Sequence, residues 1–484
     1  MTKIKFGTDG WRAIIAKEFT VENVARVAEG TVQWLLTNQR INLPIGIGTT
    51  HQPSVVVGHD CRFGGKLFAE TTASVFTHYG IKVFMSEGFV STPMISFATK
   101  KFNANLGIII TASHNPSSYN GFKLKGHYGG PLLPEQVTEI ENLIPDKCSL
   151  NLDSSSNSQL IQKIDLESIY CKHVEKNFNL RLIRRSGLKI AYDGMYGAGQ
   201  NVIKRILPET IMLHCENNPS FNGTAPEPIA KNLIEISELI KRTNKKAKTK
   251  RNKISVGLAT DGDADRLGLF DSNGNFVDSH HIILLLIHYL CKYKKIKGKV
   301  CTAFSTTVKI KKMCAHYGLQ LDMVKIGFKY ICGIMIKEDV LIGGEESGGI
   351  AIKGHIPERD GIWIGLTLFE FMAKSGKSLE ELIKEVYEIT GPFSFERNDL
   401  HIADELKNKI VENCRRNKYQ AFGKYKVQKL DDLDGWKYFF NDEEWLMIRA
   451  SGTEPVLRTY AESSSKKKAL DILIAAKKTL LSEA

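Results

Sequence analysis

Three aspartates stand at alternate positions in Asp261-Gly-Asp263-Ala-Asp265-Arg266. An extended chain throws alternate side chains to one side, so the three carboxylates converge and repel one another. A hard divalent cation with oxygen ligands relieves that repulsion. The spacing resembles the start of an EF-hand loop, but the twelfth position, 272, is Ser where that loop needs Glu. Three protein oxygens leave positions open for a phosphate oxygen, which suits Mg²⁺. The plainer reading is an acidic surface turn.

Three further segments carry chemistry. Thr111-Ala-Ser113-His-Asn-Pro116 follows the apolar run Leu106 to Ile110. A serine at the carboxyl end of a strand in a parallel α/β sheet sits where ligands gather and can serve as a nucleophile, although Ser, Asn and Pro also make ordinary turns. Gly343-Gly-Glu345-Glu-Ser347-Gly-Gly349 lets the backbone approach a ligand closely. Glu345 and Ser347 offer an acceptor and a donor to adjacent sugar hydroxyls; the competing reading is a Gly-rich connection. Arg449-Ala-Ser451-Gly452-Thr453-Glu-Pro455, with Arg458 beyond it, joins guanidinium, hydroxyls and a flexible backbone into a phosphate cradle. A β-turn with an incidental Arg is the alternative. A nucleophile, a cation loop, a hydroxyl-reading loop and a phosphate cradle together are the parts of a phosphoryl transfer.

The surrounding pattern must position these parts. Strands are expected at 54–58, 81–85 and 106–110, with helices at 66–79 and 93–101, the βαβ rhythm of a parallel sheet. The rhythm returns with strands at 188–192, 211–214 and 255–259 and helices at 200–207 and 233–241. It returns again with strands at 299–303 and near 321 and 340, and a helix at 308–317. The polar run 151–159 reads as a boundary or an exposed loop. After Gly391-Pro392 the pattern shifts to a helix at 402–415, strands at 436–440 and 445–449, and a helix at 466–481. That is a smaller α+β unit.

The chain has 484 residues, too many for one core, with 42% hydrophobic and 25% charged residues, as in soluble globular proteins. Its longest apolar run, Ile282 to Ile287, is far short of the roughly 20 residues that span a bilayer, and the first residues lack an apolar signal core. A cytoplasmic protein without a membrane partner is expected. Nine cysteines without a CxxC pair fit reduced thiols. The net charge is +13, and eight of the thirteen residues from Lys241 to Lys253 are Lys or Arg. That segment has no aromatic residue to stack on bases, so a solvated basic loop is expected rather than a nucleic-acid site. The remaining positive charge suits an anionic substrate.

Together the motifs resemble the α-D-phosphohexomutase family of phosphoglucomutases, phosphomannomutases and phosphoglucosamine mutases. Phe6-Gly-Thr8-Asp9-Gly10-Trp11-Arg12 looks like that family's opening motif, and the four signature segments stand in the family's order. The resemblance implies four domains around a central cleft, over 1–150, 160–296, 297–391 and 392–484. The first three are α/β, and the last is an α+β domain like the TATA-box-binding protein. It implies a phosphorylated Ser113, with Mg²⁺ held between its phosphate and Asp261, Asp263 and Asp265. Lys123 resembles the family's catalytic lysine, and a basic role there needs a lowered pKa. His114 and Arg12 are phosphate contacts. Arg266, Lys329, Glu345 and Ser347 are substrate contacts, and Arg449, Ser451, Gly452, Thr453 and Arg458 hold the non-reacting phosphate. The implied reaction interconverts hexose 1- and 6-phosphates through a hexose 1,6-bisphosphate that is both intermediate and activator. Its partners are small hexose phosphates, and the enzyme is a monomer or homodimer. Gln before the loop serine is usual in phosphoglucosamine mutases, and Met there with a following His in many dual mannose/glucose enzymes. Glu346 departs from both patterns, which favours glucose, with mannose second. A metal-dependent phosphatase and a non-catalytic sugar-phosphate sensor are remoter readings.

Overall fold

A computed structural model describes residues 3–39, 52–151, 158–450 and 456–482. The first sheet has six strands, ordered Trp11–Ile14, Tyr119–Gly126, Leu106–Ile110, Ser54–His59, Lys82–Ser86 and Ile161–Ile164. The last four run parallel, as the βαβ rhythm requires. Tyr119–Gly126 lies antiparallel to both of its neighbours, so the sheet is mixed. The physical reason is length: the segment 111–118 is too short for the crossover that a parallel return needs. Ile161–Ile164 completes this sheet, so the boundary expected at 160 falls just before a strand of the first unit. Most of the run 151–159 lies outside the described residues.

The second sheet is ordered Phe276–Val277, Leu267–Phe270, Val256–Thr260, Ile190–Asp193 and Ile211–Leu213. The third is ordered Leu321–Val324, Lys299–Ala303, Val340–Gly344 and Ile350–Ile352. All three units share one device. A fully buried strand (106–110, 256–260 or 340–344) turns back at once into an antiparallel partner. The tight returns are the serine, aspartate and glutamate motifs. Each motif is therefore held at both ends by ladder hydrogen bonds, with its middle free to project from the sheet.

The fourth sheet is antiparallel, ordered Ser394–His401, Val456–Ser463, Trp445–Ala450, Trp436–Phe439 and Lys429–Asp431. Helices Asp404–Arg415 and Lys466–Ser482 cover it through Ile410, Ile472 and Leu473, which pack with Tyr438, Leu446 and Ile448. This is the expected α+β unit.

The basic segment is only partly a loop. Helix Ile234–Lys246 runs into it, because its apolar face, Ile236 and Ile240, is continued one turn later by Asn244. The Asn244 amide accepts from the Ile254 amide at 2.7 Å and donates to the Ile254 and Ser272 carbonyls. The apolar run 282–287 is buried in helix Ser279–His288, and among the described residues no helix is long and apolar enough to cross a membrane. All nine cysteines are unpaired, and eight of them are buried.

The loop after Ile190–Asp193 supports the aspartate motif from below. Ala198 N donates to the Gly262 carbonyl at 2.9 Å. Asp193 anchors that loop by accepting from Met195 N and from His214 Nδ1, both at 2.9 Å, while Glu235 takes the other ring nitrogen at 3.1 Å. The Asp193 hydrogen bond, working against partial burial, lifts the His214 pKa to about 9. A raised histidine pKa stabilises the fold below the unfolded value near 6.5, and that contribution is lost as pH rises through 9. His214→Gln should lower the thermal midpoint by about 2–4 °C at pH 6, and the gap to wild type should close by pH 10. A gap that does not depend on pH contradicts this account.

Candidate active site

Where the three returns meet, Ser113 Oγ donates to Asp261 Oδ2 at 2.6 Å. The serine adopts a left-handed backbone, φ 52°, and is fully buried. Arg62 bridles its turn by donating to the carbonyls of Ser113, Asn115, Pro116 and Tyr119 at 2.6–3.1 Å. Asp60, whose carboxyl is raised mainly by burial, lies 3.4 Å from Arg62 Nε and accepts from Thr111 Oγ1. Gly262 allows the two loops to touch: a Cβ there would lie 2.4 Å from the Ser113 carbonyl oxygen.

One oxygen from each of Asp261, Asp263 and Asp265 lies within 4.8 Å of the others, and all three residues are buried. Asp263 Oδ1 and Asp265 Oδ1 are buried without a hydrogen-bond partner among the described residues. Orphaned hard oxygens converging beside a serine fit a magnesium ion. Burial, with repulsion from Asp263 and Asp265, holds the Asp261 carboxyl well above the ordinary carboxylate range. Burial acts in the same sense on Asp263, but Lys123 overrides it and keeps that carboxyl ionised.

Lys123 answers the charge. Its Nζ lies 2.7 Å from Asp263, 2.8 Å from Asp9 and 3.1 Å from Asp265. Burial disfavours the ammonium, yet these carboxylates raise its pKa above that of an ordinary lysine. The shift runs opposite to the lowering that a lysine base needs, because the neighbours that matter here are anions. Arg359 extends the network to Asp9 at 2.6 Å and Asp265 at 2.8 Å. Thr92 Oγ1 donates to Asp263 at 2.5 Å.

His114 Nδ1 is 3.3 Å from Ser113 Oγ, and burial together with Arg266, Arg12 and Lys123 keeps the imidazole neutral. Arg12 donates to Asn115 Oδ1 at 2.7 Å. Arg266 N donates to Asp261 Oδ1 at 3.0 Å. The aspartate and glutamate returns pair directly, through the Arg266–Gly349 bridge and the Leu267 N to Gly348 O bond at 3.3 Å.

Glu345 accepts from Gly327 N at 3.0 Å and lies 4.0 Å from Arg359; burial pushes its carboxyl up to about 7. Ser347 is half-buried in the same return. The neighbouring Glu346 turns aside to accept from Ser305 Oγ at 2.5 Å. Lys329 is half-buried in the first turn of helix Phe328–Met335.

Arg449 and Arg458 stand on the fourth sheet as direct cross-strand partners, with Asp399 opposite Arg458 on the next strand. Like charges in such register repel unless anions lie nearby, and Asp399 beside Arg458 and Asp434 on Arg449 Nε supply them. Ser451, Gly452 and Thr453 lie outside the described residues.

Sequence reasoning passed over Asp9, Arg62, Thr92, Glu358 and Arg359 as site residues. Asp9 stood within the opening motif. Arg359 stood in Glu358-Arg359-Asp360, directly ahead of the apolar helix Gly361–Ser375, where three charges could only be capping or buried. Asp360 does cap that helix through Trp363 N at 2.9 Å, and Glu358 accepts from Lys125 at 2.6 Å and Ser96 at 3.0 Å.

Comparison with known proteins agrees with the geometry. The models of phosphoglucomutase/phosphomannomutase alpha/beta/alpha domains I, II and III match residues 3–149, 168–274 and 278–389, and the model of the C-terminal domain matches 406–475. The crystal structure of a putative phosphomannomutase from Thermus thermophilus is 32% identical, with TM-score 0.84 and full coverage of both chains. A phosphoglucomutase/phosphomannomutase of Thermococcus kodakarensis is 29% identical over 97% of this chain and 96% of its own. A probable phosphoglucosamine mutase of Pyrococcus furiosus is also 29% identical, over 97% and 95%. With all four family domains matched in order on a fold that brings serine and aspartates together, the chain belongs to the phosphoglucomutase/phosphomannomutase family, whose members are intramolecular phosphotransferases.

Proposed function

We propose that this phosphohexomutase interconverts glucose 1-phosphate and glucose 6-phosphate, with the phosphoryl group carried on Ser113. The observation that carries the proposal is the 2.6 Å contact between Ser113 Oγ and Asp261, inside a three-aspartate site with orphaned oxygens. In this geometry Oγ stands for the bridging oxygen of phosphoserine. In the forward step the bond from phosphorus to Ser113 Oγ breaks and a bond to a sugar hydroxyl oxygen forms, and the hydroxyl's proton ends on the departing Ser113 Oγ, regenerating the serine hydroxyl that donates to Asp261. The hexose 1,6-bisphosphate then turns over in the cleft, and its other phosphoryl group returns to Ser113.

The chain's own groups make that transfer feasible. The left-handed turn at Ser113, fixed by Arg62, aims the reacting oxygen. The Lys123 ammonium and the guanidiniums of Arg12 and Arg266 surround the site with preorganised positive charge. Asp261, Asp263 and Asp265 are the residues that would hold magnesium, with a phosphate oxygen on Ser113. The bound ion would supply Lewis-acid stabilisation of charge on the phosphoryl group. Glu345 and Ser347 read sugar hydroxyls. Arg449, Ser451, Gly452, Thr453 and Arg458 grip the non-reacting phosphate, and Lys329 lines the third-unit side of the cleft.

The glucose preference rests on Glu346, which is neither the Gln nor the Met of the other patterns. A phosphoglucosamine mutase moves ahead of mannose to become the second reading, because relatives across the full length carry that description. Mannose phosphate is the third. We place the enzyme in the cytoplasm, as a monomer or homodimer without a nucleic-acid partner.

A coupled assay offering glucose, mannose, glucosamine and N-acetylglucosamine 1-phosphates with Mg²⁺ and trace bisphosphate should give the highest kcat/KM for glucose. A higher value for glucosamine transfers the assignment to the second reading. Ser113→Ala should reduce turnover to background while leaving the far-ultraviolet spectrum intact; substantial residual mutase activity removes Ser113 from its role. Asp263→Asn should raise the Mg²⁺ concentration for half-maximal rate at least about tenfold. An unaltered metal response sinks the metal assignment.

A further inference from the structure

The turn between strand Leu321–Val324 and helix Phe328–Met335 donates successive backbone N–H groups in two directions. Gly327 N goes to Glu345 Oε1 at 3.0 Å, within the third unit. Ile326 N goes to Asp434 Oδ2 at 2.8 Å, across to the fourth unit. The other oxygen of Asp434 accepts from Arg449 Nε at 3.4 Å. One carboxylate thus bridges the arginine of the cradle and the turn that also fixes the hydroxyl-reading glutamate.

The bridge is backed by packing. Asp434 and Arg449 are only 23% and 22% exposed. Gly435, the next residue, has φ +95°, and a Cβ there would lie 2.7 Å from the Ile448 carbonyl oxygen and 3.3 Å from Arg449 Cβ. The turn that carries Asp434 is therefore pressed onto the strand that carries Arg449. Engaging Nε fixes the plane of a guanidinium, which decides whether its remaining N–H groups meet phosphate oxygens as a fork. Asp434 also offsets the repulsion between Arg449 and its cross-strand partner Arg458.

We propose that Asp434 is a positioning residue that couples the phosphate cradle to the hydroxyl-reading loop, so that the two ends of a hexose phosphate are gripped as one unit. The proposal rests on the reading above that Arg449 binds the non-reacting phosphate and Glu345 the sugar. Asp434 touches no substrate in this account. It acts through Arg449 on one side and through the 326–327 peptide on the other.

The test is a double-mutant cycle in the Ser113→Ala background, where binding is read without turnover. Calorimetry with glucose 1-phosphate should show Asp434→Ala and Glu345→Gln each weakening binding about tenfold, the cost of losing a hydrogen bond to a charged group. The double variant should weaken binding well short of a hundredfold, because the two residues share one turn. Asp434→Asn keeps the side-chain size and removes the charge, which guards against misfolding of the alanine variant; it should show the same weakening at an unchanged thermal midpoint. In the otherwise wild-type enzyme, Asp434→Asn should raise KM far more than it lowers kcat, with Asp434→Glu restoring part of the loss. Additive effects near a hundredfold overturn the coupling. Wild-type affinity and KM in Asp434→Asn overturn the positioning role. If wild-type protein turns over no hexose phosphate, the functional reading itself fails; an active enzyme indifferent to Asp434 defeats this inference alone.

Discussion

Three carboxylates buried within 4.8 Å of one another set the terms for the whole molecule. At an effective dielectric of about 20, each pair repels by about 3 kcal/mol. Three pairs together rival the net stability of an ordinary domain, about 5–15 kcal/mol. Such a cluster persists only if counter-charge is brought to it. Lys123 arrives from the first unit and Arg359 from the third, while Arg266 lies within the loop itself. The packing of the first three units around the aspartate return is thus an electrostatic necessity as much as a hydrophobic one.

That arrangement also separates the duties of the charged groups. Lys123 is surrounded by anions, which raise its pKa and set its charge against theirs. Asp263 stays ionised opposite it, while Asp261, nearest the serine, carries the strain of three like charges. The two orphaned oxygens on Asp263 and Asp265 mark where the remaining charge has to be met by a cation.

The fourth unit is joined to the third by a different means. Lys437, fully buried, donates to the carbonyls of Phe304 and Thr306 at 3.1 Å and sits 3.7 Å above the Trp445 ring. Burial lowers its pKa to about 7. Lys437 lies on the strand Trp436–Phe439, which begins just after the Asp434 turn, so the cradle sheet is tied to the third unit at two points along one stretch of chain. These two ties fix the fourth sheet relative to the turn at 326–327 and the segment 304–306.

The sequence by itself determined the motifs, their order and the strand that precedes each one, because buried parallel strands are continuous apolar runs and tight returns need small and polar residues. Ser113, the three aspartates and the Glu345 loop were legible for that reason, as was the α+β change after Gly391. Only the tertiary structure decided how charge is distributed. Asp9, Arg359 and Asp263 are far apart in the chain, and their meeting around Lys123 raises a pKa that the sequence alone led one to expect lowered. It also decided that the sheets are mixed, that Ile161–Ile164 belongs to the first of them, and that helix Ile234–Lys246 extends into the basic segment. Local pattern records what a residue is next to along the chain. A pKa, a strand pairing and an interdomain bridge depend on what comes to lie beside it in space.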